Sequence, residues 1–156
     1  MEQGTQDPLS NEARAIRVSR LVAAPQALVW KVLTESKHVN AWWGPQGFKN
    51  ADMEMDFRVG GVWSFNMIAP DGTVFPNRSV FKEIRPPARL VFEHGDKDTV
   101  YFVATWTLEP QGDKTLVTIV NLFPSKEIRD RIAEKYHAVE GAEQTLAKLE
   151  DYAAKL

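Results

Sequence analysis

Proton chemistry in this chain would have to come from a few side chains, Glu83, Glu140 and His137. A carboxyl group turned into an apolar interior has its pKa raised by burial and can act as a general base. Glu83 would take that role if its strand aims it inward. If it aims outward, it is an ordinary surface glutamate, the commoner fate of a strand carboxylate. His137 follows Tyr136, one position off an apolar stripe, which puts it at the edge of any cavity the stripe covers. Glu140 adjoins Gly141. Of the other histidines, His38 falls on a polar turn and His94 closes a strand beside Gly95, at a rim. No two histidines have the i, i+4 spacing of a helical metal site, no HExxH occurs and there is no cysteine. A metal site, a thiolate nucleophile and a disulfide are therefore not expected. Neither a Ser-His-Asp arrangement, a phosphate loop nor a dinucleotide fingerprint is visible, so no cofactor is expected either.

The stronger chemical signal is apolar. Trp63, Phe65 and Met67 share one face of a strand, as do Phe102, Ala104 and Trp106 of another. Met55 alternates with Ala51, Met53 and Phe57 on a third, against a wet face of Asp52, Glu54 and Asp56. Phe81 belongs to a fourth. Each such side chain gains about 1.5–3 kcal/mol on burial, which makes ordinary core the default reading. Taken together they exceed what a tightly packed small core needs, and methionine adapts to ligands of variable shape. Trp42 and Trp43 stand side by side before Gly44-Pro45. In an extended segment one would face a cavity and the other the surface; alternatively both plug the end of the barrel.

These residues need elements to hold them. Ala13–Val22 reads as a strand, and Ala24-Pro25 opens a short helix with Leu28, Val29, Val32 and Leu33 on its buried face. Glu35–Ala41 gives a second short helix or turn. Strands follow over 48–57, 62–68, 73–84, 89–94, 99–108 and 115–122, separated by Gly60-Gly61, Asp71-Gly72, Pro86-Pro87, Gly95-Asp96 and Gln111-Gly112-Asp113. Pro76 marks a bulge or an edge position. Short turns between successive strands make the sheet antiparallel. Ser125 then caps one long amphipathic helix reaching Leu156, with Ile128, Ile132, Tyr136, Val139, Ala142, Leu146, Leu149 and Ala153 in a single stripe. Gly141 in its middle costs roughly 1 kcal/mol relative to alanine, which points to close packing on the sheet or to close approach by a ligand. The fold class is α+β, a curved antiparallel sheet of six or seven strands around a C-terminal helix. A single domain spans residues 13–156, behind a flexible tail of residues 1–12.

Composition narrows the function. The formal net charge is −2, unlike a generic nucleic-acid binder. No apolar run approaches the ~20 residues of a membrane span, and the polar N-terminus is not a signal peptide. A cytoplasmic protein, monomer or homodimer, is the expectation.

The order of elements, together with Ala24-Pro25 before Val29-Trp30, Trp42-Trp43-Gly44-Pro45, Asp56-Phe57-Arg58-Val59-Gly60-Gly61-Val62-Trp63 and Phe81-Lys82-Glu83-Ile84 before Pro86-Pro87-Ala88-Arg89-Leu90, resembles the START-like (SRPBCC) superfamily. More narrowly it is similar to the Aha-type family, named for an activator of a heat-shock protein's ATPase. The resemblance implies a helix-grip fold with a hydrophobic tunnel between sheet and long helix. It implies that Trp43, Met55, Trp63, Phe65, Met67, Phe81, Phe102, Trp106, Tyr136 and Gly141 line or gate that tunnel. Three functions follow as expectations: binding of a small hydrophobic or amphipathic ligand, cyclase-like catalysis in the same tunnel by Glu83 or His137, or a chaperone accessory role. The activator carries a further N-terminal domain, and only about a dozen residues precede the first strand here, which sets the chaperone role last.

Overall fold

A computed structural model describes residues 11–156, so most of the expected tail lies outside the described residues. Asn11–Arg14 form one helical turn, α1, and lead into β1, Ala15–Val22. Two short helices follow, α2 at Gln26–Thr34 and α3 at Ser36–Trp42. Six strands come next: β2 Lys49–Met55, β3 Val62–Ile68, β4 Val74–Arg85, β5 Arg89–Gly95, β6 Val100–Gln111 and β7 Lys114–Leu122. The chain ends in α4, Lys126–Tyr136, and α5, Ala138–Ala153.

The seven strands form one curved antiparallel sheet in the order β1-β7-β6-β5-β4-β3-β2. Each connection from β2 to β7 is a short turn, so neighbours in sequence are neighbours in the sheet. Two bulges matter for what faces inward. Between Ala51 and Glu54 the register slips by one residue, with Asp52 in the left-handed region at φ 57°. Ala51 therefore lies opposite Asn66, on the outer face, whereas Met53 and Met55 pack on the core. Unbroken alternation had put all three on one side. The second slip lies between Phe81 and Glu83 and has Lys82 as its additional residue. Gly61 is held at another tight point, because an added Cβ would sit 1.9 Å from the Asp56 carbonyl.

The expected single C-terminal helix is two helices, divided at His137. That residue is left-handed at φ 51°; its N–H closes the last turn of α4 on the Ala133 carbonyl, and its own carbonyl accepts the Gly141 N–H at 2.8 Å. Histidine tolerates this region better than most residues. The apolar stripe does not register the break, because His137 lies off the stripe. Ser125 does cap the first segment, its hydroxyl accepting the Ile128 N–H at 3.2 Å.

α5 supplies the helix side of the core. Leu146, Leu149 and Ala153 are buried against β1, α2 and α3. Glu150 fastens this end: its carboxylate accepts from Arg20 Nε at 2.8 Å and from the Ala23 N–H at 2.7 Å. Trp42 is fully buried and donates through Nε1 to the Val32 carbonyl at 2.8 Å. Val32 lies in the last turn of α2, where carbonyls lack helical partners, so the indole supplies one. Trp42 therefore does not reach the surface. α3 runs through it, and successive helical residues diverge by about 100° instead of 180°, which lets both Trp42 and Trp43 turn inward.

Candidate functional site

The face of α5 changes size along its length. At its N-terminal end Ala138, Gly141, Ala142 and Thr145 recur at i, i+3, i+4 and i+7, one face of small side chains. One turn later Leu146 and Leu149 take over. The sheet opposite the large residues is filled; opposite the small ones it is not. An inner chamber of about 270 Å³ remains there, with Trp43, Trp63, Phe65, Phe92 and Trp106 as its aromatic wall. Trp43 is the hub, its ring 4.9 Å from Trp63 and 5.4 Å from Trp106. The loop carrying Trp43 is tied to α5 by Lys148 Nζ, which donates to the Pro45 carbonyl at 3.1 Å, and by Gln144, whose side-chain oxygen accepts the Gln46 N–H at 3.1 Å. Burial pulls the Lys148 ammonium below its ordinary pKa.

An outer chamber of about 620 Å³ adjoins the inner one, with Met67, Asn77, His94, Phe102, Phe123, Ile132 and Tyr136 common to both. Its wall is completed by Ile128 of α4 and by Phe75, Val100 and Tyr101 from two strand ends. Phe75, Val100, Tyr101 and Tyr136 are exposed, so this is where the chambers meet solvent. α4 has no buried residue at all; its apolar edge faces the outer chamber instead of the core.

Of the ten sequence-selected lining residues, the structure gathers Trp43, Trp63, Phe65, Met67, Phe102, Trp106, Tyr136 and Gly141 around these chambers. Met55 and Phe81 are not on the wall. Both face inward but lie farther along their strands, where the core is solid: Phe81 is buried against Phe57 at 5.1 Å and stacks on Trp63 at 6.2 Å. None of the three candidates for proton chemistry lines the chambers, and Glu140 is exposed on α5. The bulge at Lys82 pairs Glu83 with Val91 and turns it to the outer face, where it accepts from Arg89 Nε at 3.2 Å and pairs with Arg85. His137 is exposed at the helix break.

The wall has polar members that the sequence does not single out, Asn77, Ser79, Asn121 and Thr145, together with His94, which was expected at a rim and lines both chambers. His94 lies beside Ser79, Nδ1 to Oγ 3.4 Å, with the Phe102 ring at 4.9 Å. Burial lowers its imidazole pKa from 6.5 to about 4. The ring is therefore neutral near pH 7, with one nitrogen a donor and the other an acceptor. Strand parity could have found it. Leu90 and Phe92 point inward, and His94 shares their face, as Asn121 shares that of Val117 and Ile119. Among the described residues, no three or more His, Cys, Asp or Glu side chains gather as a metal site would require. Nor is any helix there long and apolar enough to cross a membrane.

The family model for Activator of Hsp90 ATPase homolog 1-like protein matches residues 23–154. Similar solved structures include a protein of Nitrosomonas europaea, 26% identical with a TM-score of 0.84, covering 92% of this chain and 96% of that one. One from Arthrobacter aurescens is also 26% identical, with a TM-score of 0.82 and coverage of 94% and 90%. An AHSA1-like protein of Aeromonas hydrophila, at 16% identity and a TM-score of 0.70 over 90% of this chain and 92% of that one, shares the fold. No curated protein matches the chain.

Proposed function

The chain belongs to the Activator of Hsp90 ATPase homolog 1-like family, and from that premise we propose that it binds a small hydrophobic or amphipathic molecule in the paired chambers beneath α4 and α5. The observation that carries this reading is space left unfilled by small residues. Leucine in place of Ala138, Ala142 or Thr145 would extend toward the aromatic wall. Small residues hold the inner 270 Å³ open, so aromatic and aliphatic surface that leucine side chains would cover stays uncovered, at about 25 cal/mol per Å² of apolar surface left in water. An apolar guest would cover it.

The test combines native mass spectrometry and organic extraction of the purified protein with a Gly141→Trp variant. An added Cβ at Gly141 meets only Pro45 Cγ, at 3.5 Å, so the backbone tolerates a side chain there. Gly141 lines the inner chamber, so an indole placed there is expected to occupy space that the ligand would use. The wild-type protein is expected to carry or take up an apolar molecule, and the variant to fold and take up none. Equal uptake by the variant would place binding elsewhere. Glu83→Gln and His137→Gln are expected to leave uptake unchanged, since neither side chain reaches the chambers.

A further inference from the structure

The two chambers have a distinctive charge inventory. Among the described residues lining either one, there is no lysine, arginine, aspartate or glutamate. The lining groups that can ionise are His94 and the phenols of Tyr101 and Tyr136. Tyr101 spends its hydroxyl outside, donating to the Asp96 carboxylate at 2.7 Å. A carboxylate or phosphate in the inner chamber would thus find no cation, and an ammonium no anion. Burying an unpaired charge is far more costly than burying an unpaired hydroxyl.

The wall is not featureless, however. Thr145 donates its hydroxyl, and Asn77 one N–H of its amide, to backbone carbonyls, of Gly141 at 2.8 Å and Phe75 at 2.9 Å. Trp63 Nε1, a donor, and Asn121 Oδ1, an acceptor, are buried without a hydrogen-bond partner. Trp63 is 2% exposed. Buried polar atoms of native proteins are nearly all paired, so an orphan acceptor on a residue that lines the chamber, Asn121, calls for a partner. The Trp63 indole is held among the Trp43, Phe65, Phe81 and Phe92 rings, whereas turning over the Asn121 carboxamide exchanges its oxygen and nitrogen and brings the acceptor to a guest.

We propose that the molecule held in these chambers is uncharged, an apolar body with a hydroxyl- or amide-type group that pairs with the Asn121 carboxamide, and that carboxylates, phosphates and amines of the same shape are rejected. A hydroxyl or primary amide both donates and accepts, so it can meet either end of the Asn121 carboxamide. Burial keeps His94 neutral near pH 7, so it gives an anion no counter-charge. This selectivity rests on the ligand-binding reading above, and its test separates the two.

The test uses the full chain and three matched probes, naphthalene, 2-naphthol and 2-naphthoate, titrated calorimetrically at about pH 7.5, where the carboxylate is ionised. The naphthol is expected to bind, and the naphthoate to bind at least ~100-fold more weakly. The Asn121→Leu variant, with its fold checked by circular dichroism, is read by the ratio of its naphthol to its naphthalene affinity, which cancels any change in the apolar contact common to both probes. It should lose the several-fold advantage of naphthol over naphthalene. Naphthoate binding as tightly as naphthol, and abolished by Gly141→Trp, would overturn the selectivity while leaving ligand binding intact. An unchanged naphthol advantage in Asn121→Leu would overturn the assigned polar contact. Failure of all three probes to bind would overturn both proposals.

Discussion

His94 should make the stability of this protein depend on pH in a way that one substitution removes. Its imidazole lies between Ser79 of β4 and the Phe102 and Tyr101 rings of β6, at 4.9 and 5.9 Å between ring centres. Burial holds its pKa at about 4, against 6.5 in an exposed histidine. Between those values the unfolded chain binds a proton that the folded chain refuses. Stability therefore falls as the pH falls through this window, by about 1.4 kcal/mol per pH unit where the difference is one full proton. Integrated from pH 7.5 down to 5, the loss is about 2 kcal/mol, and it approaches about 3 kcal/mol near pH 4. Asp96, which takes the Tyr101 hydroxyl, is held below its ordinary pKa chiefly by that hydrogen bond and stays ionised across most of the window. The assay is urea unfolding of the wild type and of His94→Gln at half-unit pH steps. His38, His137 and all the carboxylates are common to both proteins and largely cancel in the difference. The difference curve should be flat above about pH 7 and move by about 2 kcal/mol in favour of the variant by pH 5. A flat difference throughout would refute the claim that this ring is buried in its neutral form.

Trp42→Phe strips the partner from a terminal carbonyl of α2 and leaves a gap in a fully buried site; a loss of about 2–4 kcal/mol is expected in urea unfolding, with the fold retained. Glu150→Ala releases Arg20 and the Ala23 N–H from α5. Because the pair is partly exposed, about 1–2 kcal/mol is expected from thermal melts, with the ionic share shrinking at high salt. His137→Gly relieves a left-handed residue between α4 and α5 and should stabilise by about 0.5–1 kcal/mol; destabilisation would show that the histidine side chain holds the junction.

How much of this molecule can be read from its sequence depends on which physical rule sets each feature. Alternation of side chains places every strand, because one face of each is wet and the other is not. The same rule fails one residue past a bulge. Alternation puts Ala51, Met53 and Met55 on one face, yet only the two methionines pack on the core, because the slip at Asp52 comes between them and Ala51. Glu83 has the parity of Ser79 and Phe81, yet Lys82 intervenes and turns it to solvent. A bulge of this kind carries no glycine and no proline to announce it. The break at His137 escapes for a related reason: one left-handed residue off the apolar stripe costs the pattern nothing.

The chamber is less legible than the fold because its position is a matter of depth along the strands, which parity does not report. Phe81 and Ser79 share a face, but one meets a packed core and the other an open space. What decides between them is the residue size on α5, and that signal was present in the sequence as Ala138, Gly141, Ala142 and Thr145 preceding Leu146 and Leu149. Reading the small face of the helix together with the polar residues at inward parity, His94 and Asn121, would have located both the cavity and its hydrogen-bonding groups. Each half of that signal is weak alone. A small helical face is usually close packing, and a polar residue at an inward position is usually satisfied by a neighbour. Here the small face leaves a gap and Asn121 Oδ1 lacks a partner, so the two exceptions fall at one place. Two departures from core physics at a single site are what a guest molecule would resolve together, the gap by its apolar body and the orphan by its polar group.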